Sequence, residues 1–314
     1  MNTKHRSENM SYRISFFSFS VYIFLLIVTV RAAAQDTTVF PKEKKKIERE
    51  SKGNSNRIGV SLSGGGALGF CHIGALEALD SAETKIDVIT GVSMGSLIAA
   101  LYANGYNGEE IFNILKKERI DRMLHIYRPN FHFSGGMIDT RRLQRMLTKY
   151  LPHNSFDSLK TKFYCCVTDI TNCTVRYVCS GGNLVQFVIA SLAVPALFAP
   201  IKIDSVYYFD GGSFDMMPFK PLEDEYCNIR IGIYPILLKK HTIKSPRFLW
   251  IYAYNGMFYN AILRNKDHFS DLIAIDPQEY SSVSFKHIDK LRTLGFNEAK
   301  KQISITNTNK AISE

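Results

Sequence analysis

The chain has 314 residues, of which 46% are hydrophobic and 22% are charged, with 20 Gly and 10 Pro. This length and composition exclude an intrinsically disordered, a collagen-like or a small disulfide-rich protein. The formal net charge of +10 indicates a mildly basic surface, which suits an anionic membrane as well as a nucleic acid, so charge alone selects no partner.

Residues 1–34 have the three parts of a secretory signal peptide. Basic residues precede an uncharged apolar run over 14–30, and small residues end the segment at Ala34. We expect cleavage after Ala34 and export to the periplasm, the outer membrane or the medium. An uncleaved membrane anchor is the alternative, because an apolar run of about 17 residues is at the lower limit for spanning a bilayer.

Residues 35–56 are rich in Lys and Glu, a composition typical of a solvated linker. No internal repeat or Pro/Gly-rich break follows, so residues 57–314 are predicted to form one domain. Its six cysteines include no C-x-x-C pair, which argues against zinc and thioredoxin-like chemistry, and we expect no metal and no cofactor. We expect the cysteines to be buried thiols, and Cys173 and Cys179 are the pair that an oxidising compartment would join.

Short apolar runs and helical periodicity alternate from the start of this domain. A strand over 58–62 leads into Gly64–Gly66, a helix is predicted over 67–80, and a strand at 86–90 and a helix at 96–103 follow. This alternation predicts an α/β fold, with a mostly parallel sheet flanked by helices. The other predicted elements are helices at 109–119, from a cap at Asp139 to 151, and at 287–302, and strands at 163–168, 174–179, 206–209 and 229–238.

Gly64, Gly65 and Gly66 open the run Gly64–Gly69, which fits G-x-G-x-x-G between a strand and a helix. That context is typical of a dinucleotide-binding loop, which also needs an acidic residue at the far end of the second strand. Asp87 has the right spacing but stands where that strand begins. A nucleotide-binding protein is therefore the alternative from another class. The loop offers backbone N–H groups at a helix N-terminus, which stabilise negative charge.

The segment Gly91–Gly95 fits G-x-S-x-G at a strand-to-helix turn, where Ser93 Oγ would be exposed. A nucleophile together with N–H donors for an oxyanion is what acyl transfer requires. The best candidate for the base is Asp210, which ends an apolar strand and precedes Gly211-Gly212. A histidine base remains the alternative, although the later histidines lack a comparable strand-end setting.

With these motifs in this order, the chain resembles the patatin-like phospholipases, lipid acyl hydrolases that use a Ser–Asp dyad. The resemblance spans about residues 57–301 and implies a three-layer α/β/α fold, with Ser93 as nucleophile, Asp210 as base and the amides of Gly64–Gly66 as oxyanion hole. An ordinary carboxylate is a weak base, so Asp210 is expected to gain basicity from burial. The matching motifs are Leu62–Gly69, Gly91–Ser96, Ser134–Asp139, Thr168–Ile170, Ala190–Pro200, Asp210–Gly212 and Leu294–Phe296.

The resemblance implies an exported serine hydrolase of lipid esters that forms an acyl-enzyme, acts on a lipid or membrane-surface substrate and binds no nucleic acid. Leu68 stands where the family usually has Arg or Lys, which favours neutral lipids or simple esters over phospholipids. Met216 stands where Asn is frequent, beside the loop of Asp210. The alternatives are a thioesterase or neutral-lipid esterase, and a lipid-binding member of the family with little or no turnover.

Overall fold

The computed structural model describes residues 57–124, 138–195, 197–235 and 249–313. Apart from residues 249–255, these belong to one compact unit. The predicted signal peptide and linker lie outside the described residues, as does most of the predicted motif Ser134–Asp139. None of the helices in the described ranges combines the length and the hydropathy needed to cross a bilayer.

Eight strands within these ranges form one mixed sheet. They are β1 (Ile58–Leu62), β2 (Val88–Val92), β3 (Lys162–Asp169), β4 (Thr174–Val178), β5 (Ile201–Ile203), β6 (Val206–Asp210), β7 (Ile229–Pro235) and β8 (Asp271–Ile275). The order across the sheet is β5-β6-β3-β2-β1-β7-β8, and β4 also pairs with β3. The five strands β3, β2, β1, β7 and β8 run parallel, whereas β4, β5 and β6 join by antiparallel pairing. The predicted mostly parallel sheet is confirmed.

Helices cover both faces of this sheet. They are α1 (Phe70–Ser81), α2 (Met94–Asn104), α3 (Gly108–Lys117), α4 (Ile120–Met123), α5 (Arg141–Tyr150), α6 (Leu184–Leu192), α7 (Lys220–Asp224), α8 (Leu249–Asn265) and α9 (Ile288–Ser313). A short 3₁₀ turn, Gly66–Gly69, leads into α1. The larger hydrophobic core contains buried residues of α1, α2, α6 and α9, while the smaller one contains buried residues of α7 and α8.

Alternate strand residues contribute to opposite cores. On β2, Ile89 belongs to the larger core and Val88 to the smaller one; on β3, Cys165 and Cys166 divide in the same way. Successive side chains of a strand point to opposite faces, so both faces of the sheet are apolar and both are covered. This arrangement is the three-layer α/β/α fold that the resemblance implies.

Most predicted elements are present with shifted ends. β1 has its predicted bounds, and β2 lies two residues later than predicted because Gly91 and Val92 still pair with β3. The predicted cap at Asp139 is wrong by one residue: α5 begins at Arg141 and its N-cap is Thr140, while the Asp139 carboxylate, one residue earlier, accepts the Arg141 N–H at 3.0 Å. The elements α4, α6, α7, β5 and β8 are not among the predictions.

The cysteines correct two predictions. Cys71, Cys165, Cys166 and Cys227 are buried thiols, as predicted, but Cys173 is exposed and Cys179 is half-buried, and these two are free and do not form a pair. These two residues flank β4 at its opposite ends. An extended strand rises about 3.3 Å per residue, which separates them by roughly 20 Å, whereas the Cα atoms of a disulfide lie within about 7 Å. The predicted pairing is therefore wrong.

Candidate active site

One edge of β3 brings the ends of β2 and β6 together. The first part of β3 pairs with parallel β2, which ends with Val92 opposite Cys166. The last part pairs with antiparallel β6, where Asp210 lies opposite Val167. β4 occupies the other edge. Because Cys166 and Val167 are consecutive, the end of β2 lies next to Asp210, and Ser93 follows directly on that end.

Ser93 lies in a strained turn between β2 and α2. Its backbone has φ 54° and ψ −127°, a conformation that L-residues rarely adopt and that occurs mainly at functional sites. Its N–H donates to Ser191 Oγ at 2.9 Å, and its carbonyl oxygen accepts the Ser96 N–H at 2.9 Å. The predicted strand–turn–helix setting of Ser93 is present, but Ser93 is only 8% exposed, so the predicted exposure of the residue is wrong.

The two glycines of this motif allow close backbone approach. A Cβ on Gly91 would lie 2.6 Å from Gly95 O, and a Cβ on Gly95 would lie 2.5 Å from both Leu62 O and Ser63 O. Real Cβ atoms do not approach carbonyl oxygens so closely. The start of α2 therefore packs directly on the end of β1, and this contact places Ser93 beside the glycine loop.

Asp210 is buried, with 2% of its surface exposed. Burial raises the pKa of Asp210 to about 7, and hydrogen bonds from the Ser93 side chain and the Gly212 amide oppose that rise. The Gly212 N–H lies 2.8 Å from Asp210 Oδ1. The carboxylate thus lies close enough to the Ser93 side chain for that side chain to lower its pKa, and burial makes Asp210 a much stronger base than an exposed aspartate.

The glycine loop lies against Ser93. A Cβ on Gly64 would be 3.3 Å from Ser93 Cβ. The Gly64 N–H donates to Met216 O at 3.3 Å, whereas the amides of Gly65 and Gly66 have no acceptor in the part of the chain that the structure describes. Of the three amides predicted for an oxyanion hole, the structure leaves Gly65 and Gly66 with unused N–H groups.

His72, on α1, is a residue of this region that sequence reasoning missed. Its Nε2 lies 2.8 Å from Ser63 O, directly before the glycine loop. Burial lowers the pKa of His72 to about 4, so the ring is neutral at pH 7 and Nε2 carries the proton that Ser63 O accepts. A histidine inside an otherwise apolar helical run needs such a partner, and this is the signal that sequence analysis had available.

Two residues depart from the family pattern, and both are buried beside the site. Leu68 is 3% exposed and packs in the larger core. As an apolar side chain it brings no charge to the glycine loop. Met216 is 2% exposed. Its side chain would contact a Cβ on Gly64 at 2.6 Å and a Cβ on Gly212 at 2.8 Å. Met216 therefore fills the space between the glycine loop and the turn after Asp210.

The structure gives no support to the nucleotide-binding alternative. Asp87 precedes β2, and its carboxylate accepts the Ile58 N–H at 2.9 Å, at the start of β1. Asp87 therefore lies at the start of the parallel strands, whereas the glycine loop follows the end of β1, so Asp87 cannot reach a ribose bound at that loop. Three of the later histidines lie among the described residues, His153, His268 and His287, and His268 pairs with Glu223. Among the described residues, no three His, Cys, Asp or Glu side chains cluster as metal ligands would.

Comparison with known protein families gives one match that contains the site. The family model described as "Patatin-like phospholipase" matches residues 60–223, just over half of the chain. The matched segment includes the glycine loop, Ser93, Ser191 and Asp210.

Similar proteins include the lysophospholipase NTE1 of Candida glabrata, 32% identical over 177 residues that make up 54% of this chain and 10% of that protein. The lysophospholipase NTE1 of Saccharomyces cerevisiae is 29% identical over 176 residues, again 54% of this chain and 10% of that protein. The match thus covers about a tenth of these relatives. Among solved structures, VipD from Legionella pneumophila aligns with a TM-score of 0.49 and 14% identity, over 79% of this chain and 66% of VipD.

Proposed function

The chain belongs to the patatin-like phospholipase family, and from that premise we propose that it is a serine lipid acyl hydrolase that works through a Ser93–Asp210 dyad and an acyl-enzyme. The observation that carries the proposal is the position of Ser93, directly after the end of β2 and beside the end of β6, where burial raises the pKa of the Asp210 carboxyl to about 7 and the Ser93 side chain opposes that rise. Ester hydrolysis needs a nucleophile, a base whose pKa lies near the working pH, and N–H donors for the oxyanion, and these three parts lie together here.

In the first half of the reaction, Asp210 takes the proton of Ser93 Oγ as this oxygen attacks the ester carbonyl carbon. The oxyanion of the tetrahedral intermediate accepts hydrogen bonds from Gly65 and Gly66. The intermediate collapses when the alcohol oxygen leaves and takes the proton from Asp210. The products are an ester of Ser93 with the fatty acid and a free alcohol.

In the second half, Asp210 takes a proton from water, and the hydroxide attacks the acyl-enzyme carbonyl carbon. The same amides stabilise the second tetrahedral intermediate, which expels Ser93 Oγ. Asp210 returns its proton to that oxygen, and the fatty acid leaves. One water is consumed in the cycle, and the enzyme is regenerated.

We propose a phospholipid or lysophospholipid as substrate, presented at a lipid surface, because the curated relatives are named lysophospholipases. The specific alternative is a neutral lipid, a simple ester or a thioester. Buried Leu68 supports that alternative, since it leaves the glycine loop without the basic side chain usual in the family.

Export through residues 1–34 is also a proposal. N-terminal sequencing of the exported chain tests it, and the sequence should begin at Gln35.

The first experiment compares the native chain with Ser93→Ala, Asp210→Asn and, as a matched control, Asp204→Asn. Asp204 is exposed in the turn between β5 and β6, so the control makes the same substitution away from the site. Labelling by a fluorophosphonate probe and hydrolysis of a p-nitrophenyl ester, a monoacylglycerol, a lysophosphatidylcholine and phosphatidylcholine vesicles are measured.

We expect Ser93→Ala to abolish labelling and turnover, and Asp210→Asn to lower kcat about 10²- to 10⁴-fold, the usual contribution of a general base. The control should match the native chain. Retained activity in Asp210→Asn with loss in Ser93→Ala would instead indicate a histidine base. A native chain that neither labels nor hydrolyses any of the substrates would support a lipid-binding protein. The ranking of the substrates decides between phospholipids and neutral esters.

A further inference from the structure

The end of α6 holds the backbones of both Ser93 and Asp210. The Ser93 N–H donates to Ser191 Oγ at 2.9 Å, and the Asp210 N–H donates to Ala193 O at 3.0 Å. Ser191 and Ala193 are two residues apart in the chain. A single short segment therefore sets the positions of the two residues that the proposed reaction brings together.

Ser191 is also hydrogen-bonded to β3, the strand that pairs with both β2 and β6. Its Oγ donates to Cys166 O at 2.7 Å, and Cys166 lies opposite Val92, the residue before Ser93. A hydroxyl has one proton and accepts through its lone pairs. Donation to Cys166 O leaves a lone pair for the Ser93 N–H, so both hydrogen bonds form at once in one orientation.

Packing alone does not require a serine at this position. Helix α6 is almost wholly apolar, and Ser191 is completely buried in it. Burying a hydroxyl is unfavourable unless it is hydrogen-bonded, and an alanine would fill the same helical site without that penalty. What the hydroxyl adds is an acceptor for the N–H of a strained turn, a donor that burial would otherwise leave without a partner.

We propose that Ser191 is a positioning residue for the hydrolytic reaction: its hydroxyl ties the turn of Ser93 to β3, so that Ser93 Oγ stays in line with Asp210 and the glycine loop. This inference rests on the proposed function. Loss of the hydroxyl frees the Ser93 amide and lets the strained turn relax, which moves the nucleophile without removing any group that binds the lipid. The rate of acylation should therefore fall while substrate binding is kept.

The test compares Ser191→Ala and Ser191→Thr with a matched control, Ser96→Ala. Ser96 is equally buried, and its Oγ lies 3.1 Å from Cys165 Sγ on the same strand, β3. The control therefore also removes a buried serine hydroxyl that contacts β3. Full-length chains are assayed for kcat and KM with the p-nitrophenyl ester, for the rate of fluorophosphonate labelling, and for the free energy of unfolding in urea.

We expect Ser191→Ala to lower kcat and the labelling rate about 10- to 100-fold, the scale of a misplacement of the nucleophile by up to 1 Å. KM should stay within about twofold, and Ser191→Thr, which keeps the hydroxyl, should recover most of the loss. Ser96→Ala should keep the native kcat. If Ser191→Ala does not fold, Ser191→Cys, a weak acceptor of similar size, takes its place under the same criterion.

An active native chain in which Ser191→Ala is no slower than Ser96→Ala overturns this inference alone. A rise in KM with unchanged kcat also overturns it, because Ser191 would then support binding and not the position of the nucleophile. A native chain that neither labels nor hydrolyses overturns the proposed function and this inference together.

Discussion

Among single residues, Asp210 shows most directly how burial produces chemistry. An exposed aspartate, with a pKa near 4, is too weak a base to accept a hydroxyl proton efficiently at neutral pH. Burial raises the pKa of Asp210 to about 7, which brings its basicity to the working pH. The Gly212 N–H, 2.8 Å from Asp210 Oδ1, then holds one oxygen of the carboxylate in place.

This pKa sets the expected dependence of activity on pH. Only deprotonated Asp210 accepts the Ser93 proton, so kcat/KM should rise about tenfold per pH unit below the pKa and level off above about pH 7. The measurement is hydrolysis of the p-nitrophenyl ester between pH 5 and 9. Asp204→Asn should give the same profile. A profile that is flat across this range would contradict Asp210 as the titrating base.

The same burial predicts that Asp210 lowers the stability of the folded protein above neutral pH. The folded pKa is raised from 3.8 to about 7, so the folded state binds the proton more tightly than the unfolded state does. The stability of the native chain therefore falls as pH rises from about 4 through about 7. Asp210→Asn removes this loss, since an amide keeps partners for Ser93 and Gly212 and does not titrate.

We expect Asp210→Asn to be more stable than the native chain at pH 8 by an amount on the order of 4 kcal/mol, the equivalent of about three pKa units. The gain should shrink toward zero as the pH approaches 4. Urea unfolding at pH 4.5 and pH 8 measures it, with Asp204→Asn as the control. An equal effect of Asp210→Asn at both pH values would show that burial does not shift the pKa of this carboxyl.

The sequence predicts the site residues that belong to local motifs. Ser93, Asp210 and the glycine loop each stand at the end of a strand with glycines nearby, and the structure brings them together as the motif order implies. It does not predict the bond from the Gly64 amide to Met216 O or that from Ser93 to Ser191. Those bonds join residues far apart in the chain and depend on how the elements pack, which no local pattern records.

At the scale of elements, α1 and α9 cross with almost no space between their backbones. A Cβ on Gly74 would lie 1.9 Å from Arg292 O, and a Cβ on Gly295 would lie 2.0 Å from Cys71 O. A partly buried ion pair between Arg292 and Glu77, 2.8 Å long, spans the same crossing. Since α1 begins at the glycine loop, α9 supports the site from outside the segment that the family model matches.

Two helical Gly→Ala substitutions, one inside this crossing and one outside it, should have opposite effects on stability. Gly295→Ala should destabilise the fold by about 1 to 3 kcal/mol or more, because the helices must separate to admit the methyl group. Gly256→Ala, in α8, should stabilise by about 1 kcal/mol, because no heavy atom of the residues that the structure describes lies within 4 Å of the added Cβ and alanine favours the helix. Urea unfolding of both variants tests the pair, and a stabilising Gly295→Ala would refute the close crossing.

Two of the elements that the sequence does not predict, α6 and β5, lack a recognisable pattern for different physical reasons. Helix α6 is apolar on nearly every side because it is buried on nearly every side, so it lacks the periodicity that reveals a surface helix. Strand β5 has three residues, too few to establish an alternating pattern. The predictions agree best with the structure where an apolar run ends in a glycine turn, because such a turn indicates both the type of an element and its end.

In the molecule as a whole, the sheet extends beyond the segment that the family model matches. The match ends at residue 223, yet β7 and β8 follow it and complete one side of the sheet. β7 pairs with β1 along the whole length of β1. Beyond that pairing, Ile233 O accepts the Ser63 N–H at 3.1 Å, next to the glycine loop. The prediction that residues 57–314 form one domain therefore matters for the site and remains to be tested.

We expect a chain shortened to residues 1–224 to lose both its fold and its reactivity, although it keeps the whole matched segment. Removal of β7 leaves β1 with an unpaired edge and exposes the apolar residues that β7 covers, an arrangement that favours aggregation. A chain ending at residue 303 is the matched control, since it keeps every strand and the buried residues Ile288, Leu291 and Ala299 of α9. Cooperative unfolding in urea and fluorophosphonate labelling are measured for both chains. Native-like labelling of the 1–224 chain would show that the matched segment alone holds Ser93 and Asp210 in place, and that β7 adds stability but not geometry.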